Sequence, residues 1–430
     1  MTSAGEATSH PISRGSMAIA AFSTIVEWYD FTLYLYLTTV LSRVFFGGGE
    51  ASLLITLGGF AVAYLMRPLG ALFFGHVGDR YGRRKTLLLS VAVMTAVILA
   101  TALLPTRAQI GPAAGWILIA LRCVMGFAVG GEYTGVVAYL LEGARPERRG
   151  LITSLAAAAS EVGALLAVGV SALTVNSLSV EALDTWGWRV PFFVGAALAS
   201  SVWIARSVMQ ESPDFERQLA ARTVPGNPLR HALRHHRRGI IRGFAISALG
   251  SITYYIGITY VPTFLTSTGS FGEGEALGLS TWAAIAVIAV TPITGLLSDH
   301  LGRRPVLAFL SLGSAALPIA LFTVMVHGPG LTALLGTLAL ACVAGAVSAV
   351  GAVATAEQFP GEGRLCGLAL GATIATAVFG GFTPFIAQLL IQATGWPAVP
   401  GAMIAIVALA VLPVFLRLPE TAPGKAPPLP

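Results

Sequence analysis

Charge is what this sequence has least of. Of its 430 residues only 11% are Asp, Glu, Lys or Arg, where an ordinary soluble domain carries roughly 25%. A chain folded in water needs ionised side chains on its surface. The shortage therefore excludes a soluble globular protein and points to a bilayer, whose interior hydrates no charge. Cysteine is scarce too. Cys123, Cys342 and Cys366 all lie in or beside apolar runs, without a CxxC pair or a Cys/His ligand spacing. That excludes a disulfide framework and a structural metal site, and the three read as small buried hydrophobes. Catalytic motifs are also missing: there is no P-loop, no HExxH and no Ser/His/Asp constellation in a loop, and no polar segment long enough for an appended catalytic domain. The sequence predicts neither an enzyme nor a bound cofactor.

Apolar residues fill the place of the missing charge, at 55% of the chain with a mean hydropathy of +0.78. Leu87–Leu104, Trp116–Leu141, Ile152–Val175 and Ala398–Leu416 approach or exceed the roughly 20 apolar residues that cross a bilayer as a helix. Polar breaks and turn residues divide the chain into about twelve spans, near 17–40, 52–76, 86–104, 114–141, 152–175 and 188–209, then 242–266, 278–300, 306–326, 331–357, 366–392 and 396–417. The predicted fold class is an all-α integral membrane protein of twelve transmembrane helices in two six-helix bundles. Its predicted parts are an N-terminal tail 1–16, a bundle 17–209, a basic linker 210–241, a second bundle 242–417 and a C-terminal tail 418–430. The first apolar run is too long, and too acidic inside, for a cleaved signal peptide.

The formal net charge of +6 matters less than where the cations stand. The linker holds Arg217, Arg222, Arg230, Arg234, Arg237 and Arg238 with His231, His235 and His236, broken by Pro213, Pro225 and Pro228. It reads as a partly helical interfacial segment drawn to an anionic leaflet rather than as a nucleic-acid face. Arginines cluster in alternate loops: Arg80, Arg83, Arg84, Arg145, Arg148, Arg149, the linker, Arg303, Arg304, Arg364 and Arg417. The other side carries only Arg43, Arg107 and Arg189. The positive-inside rule then predicts both termini in the cytoplasm of a bacterial inner-membrane protein.

The halves repeat. Gly75-His76-Val-Gly-Asp79-Arg80-Tyr-Gly82-Arg83-Arg84 follows the second span, and Gly295-Leu-Leu-Ser-Asp299-His-Leu-Gly302-Arg303-Arg304 follows the eighth. The same pattern at the same ordinal place marks a tandem duplication. Two such bundles around a midplane cavity suit an alternating-access carrier. The paired loops resemble the signature of the major facilitator superfamily. Glu27-Trp28-Tyr29-Asp30-Phe31, Met66-Arg67-Pro68-Leu69-Gly70, Gly126 through Gly135, Trp186 through Phe193 and Pro419-Glu420-Thr421 are similar to its metabolite:proton symporters, over essentially the whole chain. Tyr254 through Thr263 and Phe379 through Pro384 are similar to tricarboxylate carriers. Ser23-Thr24 and Ala372-Thr373 depart from patterns common in the family, near the expected cavity. The resemblance implies the major facilitator fold, a monomer among membrane lipids, and import with protons of a small molecule: a citrate-like di- or tricarboxylate, with shikimate-like acids or betaine/proline-type zwitterions as the alternative. A receptor that senses without carrying is the remaining variant. An efflux antiporter fits less well, because the fifth span has no proline.

Charges inside spans are costly, roughly 2.5–3.5 kcal/mol each on insertion scales, and mark function by default. Arg122 is the candidate cation for an anionic substrate, its plainer reading being an ion pair with Glu132 or Glu27. Arg67 reads as structural. Trp28, Tyr29, Tyr254, Tyr255, Tyr260 and Thr373 are candidate substrate contacts. Asp30, Glu132, Glu27 and Glu161 are candidates for proton coupling. Glu27 and Asp30, three apart, share a helix face, and Arg122 and Glu132, ten apart, are read as roughly on one side. His76 is a weaker titrating candidate. Gly75, Asp79, Arg80, Gly82, Arg83, Arg84, Asp299, Gly302, Arg303 and Arg304 are expected to latch the cytoplasmic side, with Glu357 pairing to the second motif.

Overall fold

The computed structural model describes residues 13–221, 223, 226–268, 271–328, 330–360, 362–423 and 425. Arg222 and Pro225 of the linker, and residues 1–12 and 426–430 of the tails, lie outside them. The membrane helices are α1 (Arg14–Tyr36), α2 (Ala51–Tyr81), α3 (Arg83–Ala102), α4 (Ala113–Gly143), α5 (Pro146–Ser177), α6 (Val180–Arg206), α7 (Arg237–Thr259), α8 (Gly278–Leu301), α9 (Arg303–His327), α10 (Gly330–Ala356), α11 (Arg364–Thr394) and α12 (Val399–Leu416). Among the described residues there is no strand. Helices suit lipid because each satisfies its own backbone polar groups. Eleven of the twelve are long and apolar enough to span. The remaining one, α1, is long enough at 23 residues, but carries Glu27 and Asp30 at its middle and shelters them between α5, α6 and α4.

The repeated motifs are helical, not loops. α2 continues through Gly75, His76 and Asp79 to Tyr81, and α8 continues through Asp299 to Leu301. Each stops where a glycine takes a left-handed backbone, Gly82 at φ 112° and Gly302 at φ 108°. An L-side chain is strained there, so the turn needs glycine. The next helix starts one residue later, at Arg83 or Arg303. Glu211, just beyond α6, accepts from the N–H groups of Arg83 (2.8 Å) and Arg84 (3.3 Å). Glu420, just beyond α12, accepts from those of Arg303 (2.8 Å) and Arg304 (3.2 Å). A carboxylate on a helix N-terminus satisfies orphan donors and the positive end of the dipole. The duplication therefore extends to the caps.

Two linker residues read as breakers start helices instead: Pro213 opens Pro213–Ala221 and Pro228 opens Pro228–His235. Proline lacks an N–H that a first helical turn would leave unpaired anyway. α4 breaks at Gly130–Gly131, between Ala113–Val129 and Glu132–Gly143. Here α2 comes so close that a side chain on Gly126 or Gly130 would strike the carbonyls of Ala63 or Arg67. π-helical turns interrupt α7 at Tyr255–Thr259 and α11 at Ala369–Thr373 and Ala377–Gly381. The break in α4 and the turns at Tyr255 and at Ala369–Thr373 flank one central space. The two halves meet chiefly along α5 with α8 and α2 with α11.

Candidate functional site

That space is a cavity of about 150 Å³, walled by α1, α2, α4 and α5 from one half and α7, α8, α10 and α11 from the other. Hydroxyls of Thr134, Ser160, Ser251, Thr291, Ser348 and Thr373 stud its surface. Three charged side chains reach it: Arg67, Glu27 and Glu161. Arg67 Nη2 lies 3.5 Å from Glu27 Oε1, and its guanidinium covers the rings of Tyr64 (4.5 Å) and Phe31 (4.8 Å). Neither oxygen of Glu27 has a hydrogen-bond partner among the described residues, so the pair is loose. Glu161 is 2% exposed. Tyr254 lies against it, and its Oε2 has no partner among the described residues. Trp28 stands edge-on to Tyr254, with ring centroids 4.9 Å apart, and closes an aromatic corner with Tyr133 at 6.3 Å.

Trp28, Tyr254, Tyr255 and Thr373 line this cavity. The structure turns other candidates away from it. The Tyr29 hydroxyl donates to the Pro191 carbonyl at 2.8 Å, and the Tyr260 hydroxyl to Gln388 Oε1 at 2.6 Å. Arg122 is paired with Asp30 at 2.8 Å and donates to Thr101 Oγ1 at 3.0 Å. Glu132 is held by Arg206 Nη1 at 3.1 Å and by Ser90 at 2.6 Å. Arg122 thus pairs with neither Glu132 nor Glu27. Ten residues of a straight helix rotate a side chain to about 80° from the start, and the break at Gly130–Gly131 turns Glu132 further off. His76 is not among the residues lining the cavity. Arg122 and Asp30 instead face a smaller chamber of about 30 Å³ beside the cavity.

Two sets of contacts join the halves on either side of the cavity. Toward the end away from the arginine clusters, the hydroxyls of Tyr64 on α2 and Tyr255 on α7 hydrogen-bond across the halves. Gly380 and Gly381 admit the two rings closely. At the arginine-rich end, Asp79 binds Arg83 at 2.8 Å and accepts from the Cys366 N–H of α11 at 3.1 Å. Asp299 binds Arg303 at 2.7 Å and accepts from the Gly150 and Leu151 N–H groups of α5 at 2.9 and 3.0 Å. Each aspartate therefore caps a helix of the opposite half. Glu142 joins Arg83 at 3.6 Å to Arg364 at 2.7 Å, and Glu357 pairs with Arg303 at 3.3 Å. Gly75 leaves room for the Leu365 backbone at 3.4 Å. Arg80 and Arg84 serve other ends: they donate to the carbonyls of Gly226 and Ser207, while Arg304 meets Glu420 through its backbone. Sequence reading passed over Glu142, Arg206, Glu211 and Tyr64. The signal was there for Arg206 and Glu142, charged residues at span ends, but not their partners.

Residues 16–227 match the family model for sugar (and other) transporters, and residues 268–430 that of the major facilitator superfamily. The alpha-ketoglutarate permease of Escherichia coli (strain K12) is 33% identical over 91% of this chain and 90% of its own length. The chain belongs to the major facilitator superfamily. Within the superfamily it falls among the metabolite:proton symporters. The glycine betaine/proline/ectoine/pipecolic acid transporter OusA of Dickeya dadantii (strain 3937) is 30% identical over 95% of this chain and 84% of its own. In fold, this facilitator superposes on the proton:xylose symporter XylE bound to 6-bromo-6-deoxy-D-glucose with a TM-score of 0.80, at 19% identity, over 95% and 96% of the two chains. It is a multi-pass inner-membrane transporter.

Proposed function

We propose that this facilitator imports a small zwitterion, carrying a carboxylate and a substituted ammonium, together with protons. The observation that carries the reading is the charge inventory of the cavity: one cation, Arg67, loosely paired with Glu27, and a second carboxylate, Glu161, in an aromatic corner with no cation among the described residues paired to it. Arg67 offers a planar fork to a carboxylate. Glu161, Trp28 and Tyr254 suit a cationic centre, which aromatic faces attract. Tyr255 and Thr373 shape the remaining wall. OusA, whose name gives betaine and proline as cargo, supports the reading.

A citrate-like di- or tricarboxylate is the second reading, and the permease relative favours it. Its charge fits the cavity less well. A second carboxylate would find no second cation, since Arg67 is the one cationic side chain on the cavity wall.

The arginine-rich end faces the cytoplasm on this reading, by the positive-inside rule, and both termini lie there. The Asp79 and Asp299 networks are the inner latch, and the Tyr64–Tyr255 bond is the outer one. Both are closed around the cavity, as a carrier requires between its outward and inward states. A monomer suffices, since the cavity is complete within one chain.

Uptake into proteoliposomes under an inward proton gradient tests this, with labelled glycine betaine, proline, 2-oxoglutarate and citrate. Accumulation of a zwitterion that collapses with a protonophore is the expected result. Accumulation of only the acids overturns the zwitterion assignment, and none of either overturns symport.

A further inference from the structure

Apart from the Arg83 contacts at the arginine-rich end, three buried acid–arginine pairs are described within the first bundle, and they differ. Arg122 and Asp30 are 2.8 Å apart and hydrogen-bonded. Arg206 holds Glu132 through both nitrogens. Arg67 and Glu27 are 3.5 Å apart without a hydrogen bond. The loose pair has a second peculiarity. Glu27, Arg67 and Val129 line both the central cavity and the small chamber, and so form the partition between them. On the chamber side the Oδ1 atom of Asp30 is buried with no partner among the described residues, as are both oxygens of Glu27. About 30 Å³ is room for two waters, each needing roughly 10–15 Å³ and two or more polar partners.

Resting on the symport reading above, we propose that Glu27 is the residue at which solute and proton meet. The carboxylate of the solute takes Arg67 from Glu27. A buried carboxylate deprived of its counter-ion does not keep its charge. Glu27 therefore takes a proton from the outer solution, relayed by water in the chamber; Asp30, held as a carboxylate by Arg122, orders that water and gives up no proton. When the cavity opens inward and the solute leaves, Arg67 returns to Glu27 and the proton is expelled to the cytoplasm. One proton, and with a zwitterion one net positive charge, crosses per solute. The other titratable groups around Glu27 do not replace Arg67. Glu132 and Arg206 cancel one another, and Tyr64, Tyr133 and Tyr255 are neutral phenols.

Ala63 also lines the chamber but not the cavity, which allows the chamber to be filled without touching a charge. The test uses purified carrier in weakly buffered detergent with a pH dye, alongside solute exchange and gradient-driven uptake in proteoliposomes. Wild type is expected to take up about one proton per solute bound. Glu27→Gln and Ala63→Val are expected to bind and exchange solute while losing that proton uptake and at least tenfold of gradient-driven accumulation. Ala63→Ser, which leaves the chamber open, is expected to keep both. Coupled accumulation by Glu27→Gln overturns the assignment of Glu27, and coupling intact in Ala63→Val overturns the chamber. Wild type that exchanges neither a zwitterion nor an acid would instead fail the symport reading, a distinct outcome.

Discussion

Asp299 of the second half caps the start of α5 in the first half, accepting from the Gly150 N–H at 2.9 Å and the Leu151 N–H at 3.0 Å. Hydrogen bonds to a charged acceptor are worth roughly 1.5–3 kcal/mol each, and about 1.4 kcal/mol is a factor of ten in an equilibrium. Asp299→Ala removes two of them from the closed inner latch. It is expected to shift the carrier toward the inward-open state by at least tenfold and to slow uptake correspondingly. Double electron–electron resonance between labels on the inner ends of α5 and α8 reads the distribution directly; unchanged distances would mean that the cap does not hold the latch.

The pseudo-equivalent contact has a built-in reporter. Cys366 is fully buried, and its N–H binds Asp79. With Cys123 and Cys342 replaced by Ser, Asp79→Ala is expected to raise maleimide labelling of Cys366 from the arginine-rich side several-fold. Wild-type protection in that variant would show that the cysteine is shielded by packing alone.

Arg122 and Asp30 are buried partners in a tight pair. Removing one partner of a buried ion pair typically costs about 3–5 kcal/mol, because the other charge is left uncompensated. Arg122→Ala is therefore expected to lower the thermal midpoint in detergent markedly. Arg122→Ala with Asp30→Asn should recover part of the loss. A substrate role for Arg122 instead predicts unchanged stability and a raised KM.

Glu161 is assigned to the cationic end of the solute. Glu161→Gln keeps the shape of the side chain and removes the charge. The KM for a zwitterion is expected to rise about 10- to 100-fold, in line with the worth of a charged hydrogen bond, while any weak inhibition by a dicarboxylate strengthens. Equal loss for both solutes would assign Glu161 to proton transfer or folding rather than selectivity.

Glu211 caps α3 from beyond α6. Loss of a cap typically costs about 0.5–2 kcal/mol. Glu211→Ala is expected to destabilise the fold by that order without changing substrate selectivity, as a melting curve beside a competition assay would report.

The sequence alone settled the large-scale questions. Scarce charge and long apolar runs required a bilayer, and in a bilayer the backbone must satisfy itself as helices. The motif at Gly75–Arg84 and its echo at Gly295–Arg304 revealed the duplication, because a repeat is visible without knowing any contact. The positions of in-span charges were equally plain, since each is costly enough to stand out. What stayed hidden was which face each helix turns where. In a soluble helix the apolar stripe marks the buried side, but lipid is as apolar as a protein core, so the stripe fades. Arg122 thus looked like the substrate cation and Arg67 like scaffolding, whereas the structure puts Arg67 on the cavity and Arg122 on the chamber beside it. The partners were hidden for a related reason. Asp30 meets Arg122 across 92 residues and Glu132 meets Arg206 across 74. Such pairings join α4 to α1 and to α6, and only the packed bundle decides which helices meet.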